Sequence, residues 1–399
     1  MSVPDLNWDL TSTERAVKDT VHQFAAEVLR PAGIALDKLP PDEAIAAKSI
    51  FWDVHKQYLD LGIASTREGL TRIEAARLQV LISEELGWGD SGFAIAFGAG
   101  AFPSNLAAAT GRADLMAKFP ATEIGCWAIT EPDHGSDMID VDQSLSATQQ
   151  YLGKPNCIAR ANGNEFVISG QKSAWVSNGT IAKSAALFTT VEMADGSLGG
   201  AVFLVPLDLP GVGKGKATDK IGQRALNQGE IFFDDVRVPP DYMVVPPEQY
   251  KLHARLTLAS ANTGMGTIFA GVARSAFELA LDYAQERKQG GRPIIAHQSV
   301  KARIFEMYRR VEAARALNFN VAMLNASSPT PNLTAAIASK ITSTQTAFEV
   351  ASMAFQIFGG AGITKEYPIE KIFRDARISM IEDGCNEVLG LVGGADLAA

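Results

Sequence analysis

The run SAALFTTVEMADGSLGGAVFLVPL, residues 184–207, decides how the chain is organised. Two segments rich in Val, Phe, Thr and Leu flank Asp195-Gly196, a pair suited to the positive φ angles of a tight hairpin turn. Similar short β-rich runs surround it: GCWAIT (125–130), CIARANGNEFVISG (157–170, with its own Asn162-Gly163 pair) and GEIFFDDVRVPP (229–240). Together they predict a compact β domain over residues 121–240, a small barrel or sandwich.

On either side the texture is helical. Over residues 1–120, TSTERAVKDTVHQFAAEVL opens with a Ser/Thr cap, a Glu and apolar residues at helical spacing. IEAARLQVLISEELG predicts a second helix, and GFAIAFGAGAFPSNLAAA a buried one. Over 241–399, long Ala-rich helices are predicted at 250–287, 296–326 and 332–358, broken at QGGRP (289–293) and SSPTP (327–331). Helices of that length pack as an antiparallel four-helix bundle, and their apolar surface predicts self-association. The fold class is α+β, with a β domain set between two helical ones.

Composition narrows the function. The 399 residues carry a net charge of −9 with no Lys/Arg stripe, which argues against nucleic acid. Three cysteines (Cys126, Cys157, Cys385) and five scattered histidines lack metal-ligand spacing. No continuous apolar run reaches the roughly 18 residues of a membrane span, so no membrane insertion is expected. The N-terminus has neither a basic-then-apolar leader nor an Arg-rich transit helix, so a cytoplasmic protein is expected.

Four stretches can carry chemistry. AITEPDHGSD (128–137) is a strand end whose turn offers N–H groups and the hydroxyls of Thr130 and Ser136, suited to a heterocycle edge or a phosphate, or is an ordinary turn. ISGQKSAWVSNG (168–179) sets Trp175 two residues before Ser177, a flat face with a hydroxyl, or a core tryptophan. Arg287, Lys288 and Arg292 cluster beside Gly290-Gly291, a pyrophosphate site or a solvated helix end. FQIFGGAGITKEYPIEKIFRDARI (355–378) has a glycine turn that follows no strand and lacks G-x-G-x-x-G, which excludes a dinucleotide-binding Rossmann turn.

In this order, these stretches resemble the acyl-CoA dehydrogenase family over nearly the whole chain. TEPDHGSD is similar to that family's flavin loop, WVSNG to its Trp segment, GEIFFDDVRVP to its closing strand, ERKQGGRPIIAHQ to the segment that reaches a neighbour's FAD, and QIFGGAGITKEYPIEKIFRDARI to its C-terminal signature. The resemblance implies FAD as cofactor, an acyl-CoA substrate, an electron-transfer flavoprotein as partner, and a homotetramer or dimer. It places Ile129, Thr130 and Ser136 at the flavin, with Ser136 also at the substrate. Trp175 is placed on the isoalloxazine, with Ser177 near N5. Arg287 and Gln298 reach the pyrophosphate and adenosine of the partner's FAD, and Gln356, Gly359 and Gly360 the adenine end. Cys385 and Glu387 stand where the family often has Thr and Gln on FAD, and Arg255 matches an active-site arginine. Three departures stand out: one extra residue between Lys172 and Trp175, Gly290 in place of a Phe, and Cys385 in place of Thr.

The family's base is a Glu in Y-E-G-T. Here the letters are Glu382-Asp383-Gly384-Cys385, within ISMIEDGCNEV (378–388). Asp383 takes the base position, Glu382 replaces the aromatic, and Gly384 lies beside the thioester. The helix position used by other branches reads LHARL (252–256), with no acid. Asp is shorter than Glu by roughly 1.3–1.5 Å, one C–C bond, and ~1 Å of misplacement can cost about 10²-fold in rate. Glu382 therefore stays open as the alternative base. Related flavoproteins with an Asp base, such as nitroalkane oxidases, keep an oxidase or desulfinase open, as well as a catalytically silent FAD- or acyl-CoA-binding subunit.

Overall fold

A computed structural model describes residues 9–63, 65–141 and 155–398. Residues 1–8, part of the basis for the targeting expectation, lie outside them. The N-terminal part is helical: α1 (Ser12–Phe24), a π turn (Ala25–Leu29), α2 (Arg30–Leu36), α3 (Pro41–Ala44), α4 (Ile50–Asp60), α5 (Arg72–Gly89), α6 (Ser91–Gly100), α7 (Phe102–Ala109) and α8 (Ala113–Lys118). Thr11 and Thr71 cap α1 and α5 through capping boxes with Glu14 and Glu74, each satisfying two orphan N–H groups. The buried helix expected at 92–109 is two helices. Pro103 supplies no N–H to continue α6, so α7 restarts with proline in its first turn. By length and composition residues 91–109 would pass for a membrane span. Here Phe93, Ala94, Phe97 and Ala107 are buried within the protein.

The β region holds β1 (Gly125–Ala128), β2 (Ile158–Asn162), β3 (Glu165–Lys172), β4 (Ser184–Glu192), β5 (Leu198–Pro206), β6 (Val212–Lys214), β7 (Ile231–Val238) and β8 (Met243–Val245). They form one sheet in the order β6-β7-β3-β2-β4-β5-β8, with β1 parallel to β4. Phe166 of β3 and Phe203 of β5 are not on neighbouring strands, yet their rings meet at 5.2 Å. The sheet therefore curls over its own core, which Ile168, Val205, Ile231 and Val236 fill. β4 and β5 are the opening hairpin, turned at Gly196 with φ 82°.

The C-terminal part is a bundle of three long helices, α9 (Pro247–Glu286), α10 (Gln298–Ser327) and α11 (Leu333–Phe358), completed by α12 (Ile369–Ile378) and α13 (Asn386–Ala398). Helix α5 also lies along α9 and α10. Phe269, Met307 and Val350 are fully buried where α9, α10 and α11 meet. A small hairpin, β9 (Lys288–Gln289) with β10 (Arg292–Pro293), joins α9 to α10. Its two-residue turn is Gly290-Gly291 with φ 63° and 80°, and positive φ at both positions is what glycine permits. That backbone demand accounts for Gly290 where the resemblance leads one to expect Phe.

Candidate active site

The loop between α12 and α13 carries Glu382, Asp383, Gly384 and Cys385, and three separate stretches of chain hold it. From the β region, the Ser136 hydroxyl accepts the Cys385 N–H at 3.2 Å. The Gln223 side chain, between β6 and β7, donates to Glu382 Oε1 at 2.6 Å. From the bundle, Lys340 of α11 donates to the Gly384 carbonyl and to Asn386 Oδ1, both at 2.8 Å. Asp383 has φ 51° and Gly384 φ 92°. A Cβ on Gly384 would come within 2.9 Å of Ile139, so the turn closes against the Ser136 segment only with glycine there. Asp is among the few side chains that tolerate the left-handed region.

The two acids have different surroundings. Glu382 accepts from Gln223 and feels both Lys220 and Lys340, while Lys340 is the cation that acts on Asp383. Burial pushes the Glu382 carboxyl up to about 7, against the hydrogen bond from Gln223 and with a further push from Asp383. Burial also raises Asp383, and Lys340 partly opposes it. Lys340 has no exposed surface, and burial lowers its ammonium to about 8. A carboxylate raised from its ordinary range by a sheltered environment is suited to take a proton near neutral pH.

The flavin-loop residues gather around a buried ion pair. Lys172, with no exposed surface, donates to Glu131 at 2.7 Å and to the Ile129 carbonyl at 3.0 Å. The second oxygen of Glu131 accepts the Asn156 N–H at 2.6 Å. The Thr130 and Ser173 hydroxyls lie 2.7 Å apart, two residues before Trp175. Ser173 belongs to the lengthened Lys172–Trp175 stretch, so the insertion supplies a tie to the loop. Trp175 is not a core tryptophan. It is 61% exposed, a flat apolar face on the surface of the β region, with Ser177 half-buried and bridged to Gln228.

The remaining predicted residues form a second group. Arg287 ends α9, Gln298 begins α10, and Gln356, Gly359 and Gly360 end α11; all are exposed. Tyr283 stacks on Phe358 at 4.1 Å and joins the two helix ends. This group is remote from the acid loop of the same chain. The Asn262 side chain touches the Asp383 carbonyl at 3.4 Å, and from Asn262 to Arg287 the helix runs 25 residues, roughly 37 Å at ~1.5 Å per residue. Glu387 is exposed in the first turn of α13. Arg255 lies two turns before Asn262 and is paired with Asp396 at 2.8 Å, so its charge is balanced within the protein.

Sequence reasoning missed Lys340, Gln223, Lys172 and Asn262. A signal existed for Lys340. It falls on the stripe of Leu333, Ala336, Ile337, Thr344 and Ala347, the buried face of α11. A lysine in an apolar stripe needs a buried partner.

A curled sheet set between two helical regions, the second of them a bundle, is the architecture of the acyl-CoA dehydrogenase fold. The models for the acyl-CoA dehydrogenase middle domain and C-terminal domain match residues 126–236 and 253–397. The short-chain specific mitochondrial acyl-CoA dehydrogenase of Bos taurus is 33% identical over 270 residues, 68% of this chain and 62% of that protein. The benzylmalonyl-CoA dehydrogenase of Aromatoleum aromaticum is 30% identical over 404 residues, 97% of this chain and 98% of that protein. The butyryl-CoA dehydrogenase of Megasphaera elsdenii superposes with a TM-score of 0.84 at 27% identity, over 99% of this chain and 100% of that one. The chain belongs to the acyl-CoA dehydrogenase family.

Proposed function

We infer that the protein dehydrogenates an acyl-CoA thioester between its α and β carbons, with Asp383 as the base. The observation that carries this is the acid loop itself. Asp383 is held in a left-handed turn between Ser136 and Lys340, with its carboxyl raised by burial. The α C–H bond breaks toward Asp383, which takes the proton, and the backbone N–H of Asp383 polarises the thioester carbonyl as negative charge builds there. The residues present fit FAD: the open Trp175 face, the Thr130 hydroxyl tied to Ser173 of the same stretch, the Ser136 hydroxyl at the acid loop, and exposed Arg287 for a pyrophosphate. Bound flavin supplies the acceptor for the hydride leaving the β carbon, and an electron-transfer flavoprotein is the expected next acceptor.

The roughly 37 Å between the acid loop and the Arg287 group is too far for one flavin to bridge within a chain. That supports a homodimer or homotetramer in which Arg287, Gln298, Gln356, Gly359 and Gly360 serve a neighbour's FAD. Anaerobic rapid mixing with acyl-CoA tests the function. Wild type should bleach the flavin, and Asp383→Asn should abolish bleaching while retaining FAD, since Asn fits the same turn but accepts no proton. Glu382→Gln should slow the reaction less. The reverse pattern would give the role to Glu382. Oxygen-dependent turnover would indicate an oxidase, and no bleaching with any thioester a silent subunit.

A further inference from the structure

Gln223 has no part in the chemistry above, yet the fold takes trouble to place it. It is 1% exposed and has φ 48°, a left-handed conformation that costs energy in a residue with a side chain. Its N–H donates to Asp375 Oδ1, and its carbonyl accepts from Lys220 at 3.1 Å. Thus fixed, its side-chain nitrogen donates to Glu382 Oε1 at 2.6 Å, while its side-chain oxygen is buried without a hydrogen-bond partner.

A buried amide oxygen left unpaired carries its desolvation cost with nothing to offset it. An ionised Glu382 cannot relieve this, because a carboxylate only accepts. A neutral Glu382 can. Its O–H donates to Gln223 Oε1, and Gln223 Nε2 donates to the acid's carbonyl oxygen, closing a two-bond ring in which both groups are satisfied. We propose that Glu382 and Gln223 form an acid–amide pair that keeps a proton on Glu382, leaving Asp383 as the one acid of the loop that ionises. Gln223 is then a positioning residue acting through Glu382. The proposal rests on Asp383 being the base.

The charged groups around Glu382 balance without it: Lys220, Lys340 and Lys371 are matched by Asp383, Asp375 and Asp90, the last two both held by Lys371 at 2.6 Å. Asp383 follows it in the chain, Lys220 faces it from the segment between β6 and β7, and Lys340 faces it from α11. Asp375 of α12 lies behind Gln223 and is engaged by Lys371 at 2.6 Å. Burial carries the Glu382 carboxyl up to about 7, in keeping with a neutral acid there. A second anion beside the thioester would oppose the negative charge that builds when the α-proton leaves.

Infrared spectroscopy of the oxidised, FAD-loaded protein without substrate tests this. Glutamate and aspartate are labelled with carbon-13 in separate samples. The expected result is a neutral-carboxyl carbonyl band that moves with glutamate label, not aspartate label. It should disappear in Glu382→Gln and fade with a midpoint near 7 as pH rises. In Gln223→Leu the band should move to higher frequency as the hydrogen bond to the carbonyl is lost. Gln223→Asn, which tolerates the left-handed turn but is one methylene too short to reach, should do the same if the Leu variant fails to fold. No glutamate-labelled neutral-carboxyl band below the midpoint, such a band that survives Glu382→Gln, or one unmoved in both Gln223 variants overturns the pair; an aspartate-labelled band from Asp383 or Asp375, both raised by burial, does not stand in for it. The base assignment is judged separately: flavin bleaching by Asp383→Asn overturns it whatever the band does.

Discussion

Replacing Lys340 by Met should leave the fold nearly as stable while weakening the protein's hold on an ionised Asp383. Two effects on stability oppose. Burying the ammonium lowers its pKa from 10.5 to about 8, a cost of roughly 3 kcal/mol that Met removes. Because the folded pKa lies below the unfolded one, that relief is full below pH 8 and gone above pH 10.5. Against it, Met leaves the Gly384 carbonyl unpaired, about 1–3 kcal/mol, while Asn386 Oδ1 keeps its 3.3 Å contact with Thr344. The net change at neutral pH should lie within about 2 kcal/mol. The effect on the base has one sign. A neighbouring cation lowers a carboxyl's pKa by about 1–3 units, so its loss should raise the Asp383 carboxyl by at least ~1 unit. The acidic limb of flavin reduction should move up by the same amount, about tenfold in rate at a fixed pH below the limb. Stopped-flow bleaching across pH, with melting curves in parallel, measures both. A folded, FAD-loaded variant with an unmoved acidic limb would refute the electrostatic role of Lys340.

Glu382→Gln should gain stability at alkaline pH. The folded carboxyl is raised from 4.5 to about 7, so wild type loses stability as pH rises through that window, by roughly 3 kcal/mol in full. Denaturation at pH 4 and pH 8 should show no advantage for the variant at the first and a clear one at the second; equal stability at both would contradict the raised carboxyl of the half-buried Glu382. Arg287→Ala should weaken FAD retention about 10- to 100-fold through loss of charge-assisted phosphate bonds, with little change in melting because the side chain is exposed. Unchanged retention on dialysis would remove Arg287 from the site. Light scattering should report a dimer or larger, and a monomer with tightly bound FAD would contradict the shared-site geometry.

Much of the fold was legible because local rules agree with it. Thr11 and Thr71 cap their helices, Gly196 turns its hairpin, and SSPTP separates α10 from α11. The strand order was not legible. Strand β2 lies parallel to β4 and antiparallel to β3, a pairing set by how the sheet closes on its core. Around the site, loops with turn chemistry announced themselves, as at 128–137. What stayed hidden were partners distant in sequence. Nothing near Glu382 points to Gln223, 159 positions earlier, and nothing near Arg255 points to Asp396. Pro103 could have divided the helix expected over 92–109, since the rule that breaks α6 is local.

The acid loop is fastened at the start of its turn to Gln223, through Glu382, and at the end to Lys340 and Ser136, through Gly384 and Cys385. This limits how the chain can be recombined with its relatives. A chimera that imports a foreign sheet region between residues 126 and 236 keeps both acids, yet exchanges two of the three fastenings. Such a hybrid would fold and carry Asp383 in its sequence while aiming it from a differently braced turn. Transplanting activity therefore requires positions 136 and 223 to travel with the C-terminal region, although neither belongs to it.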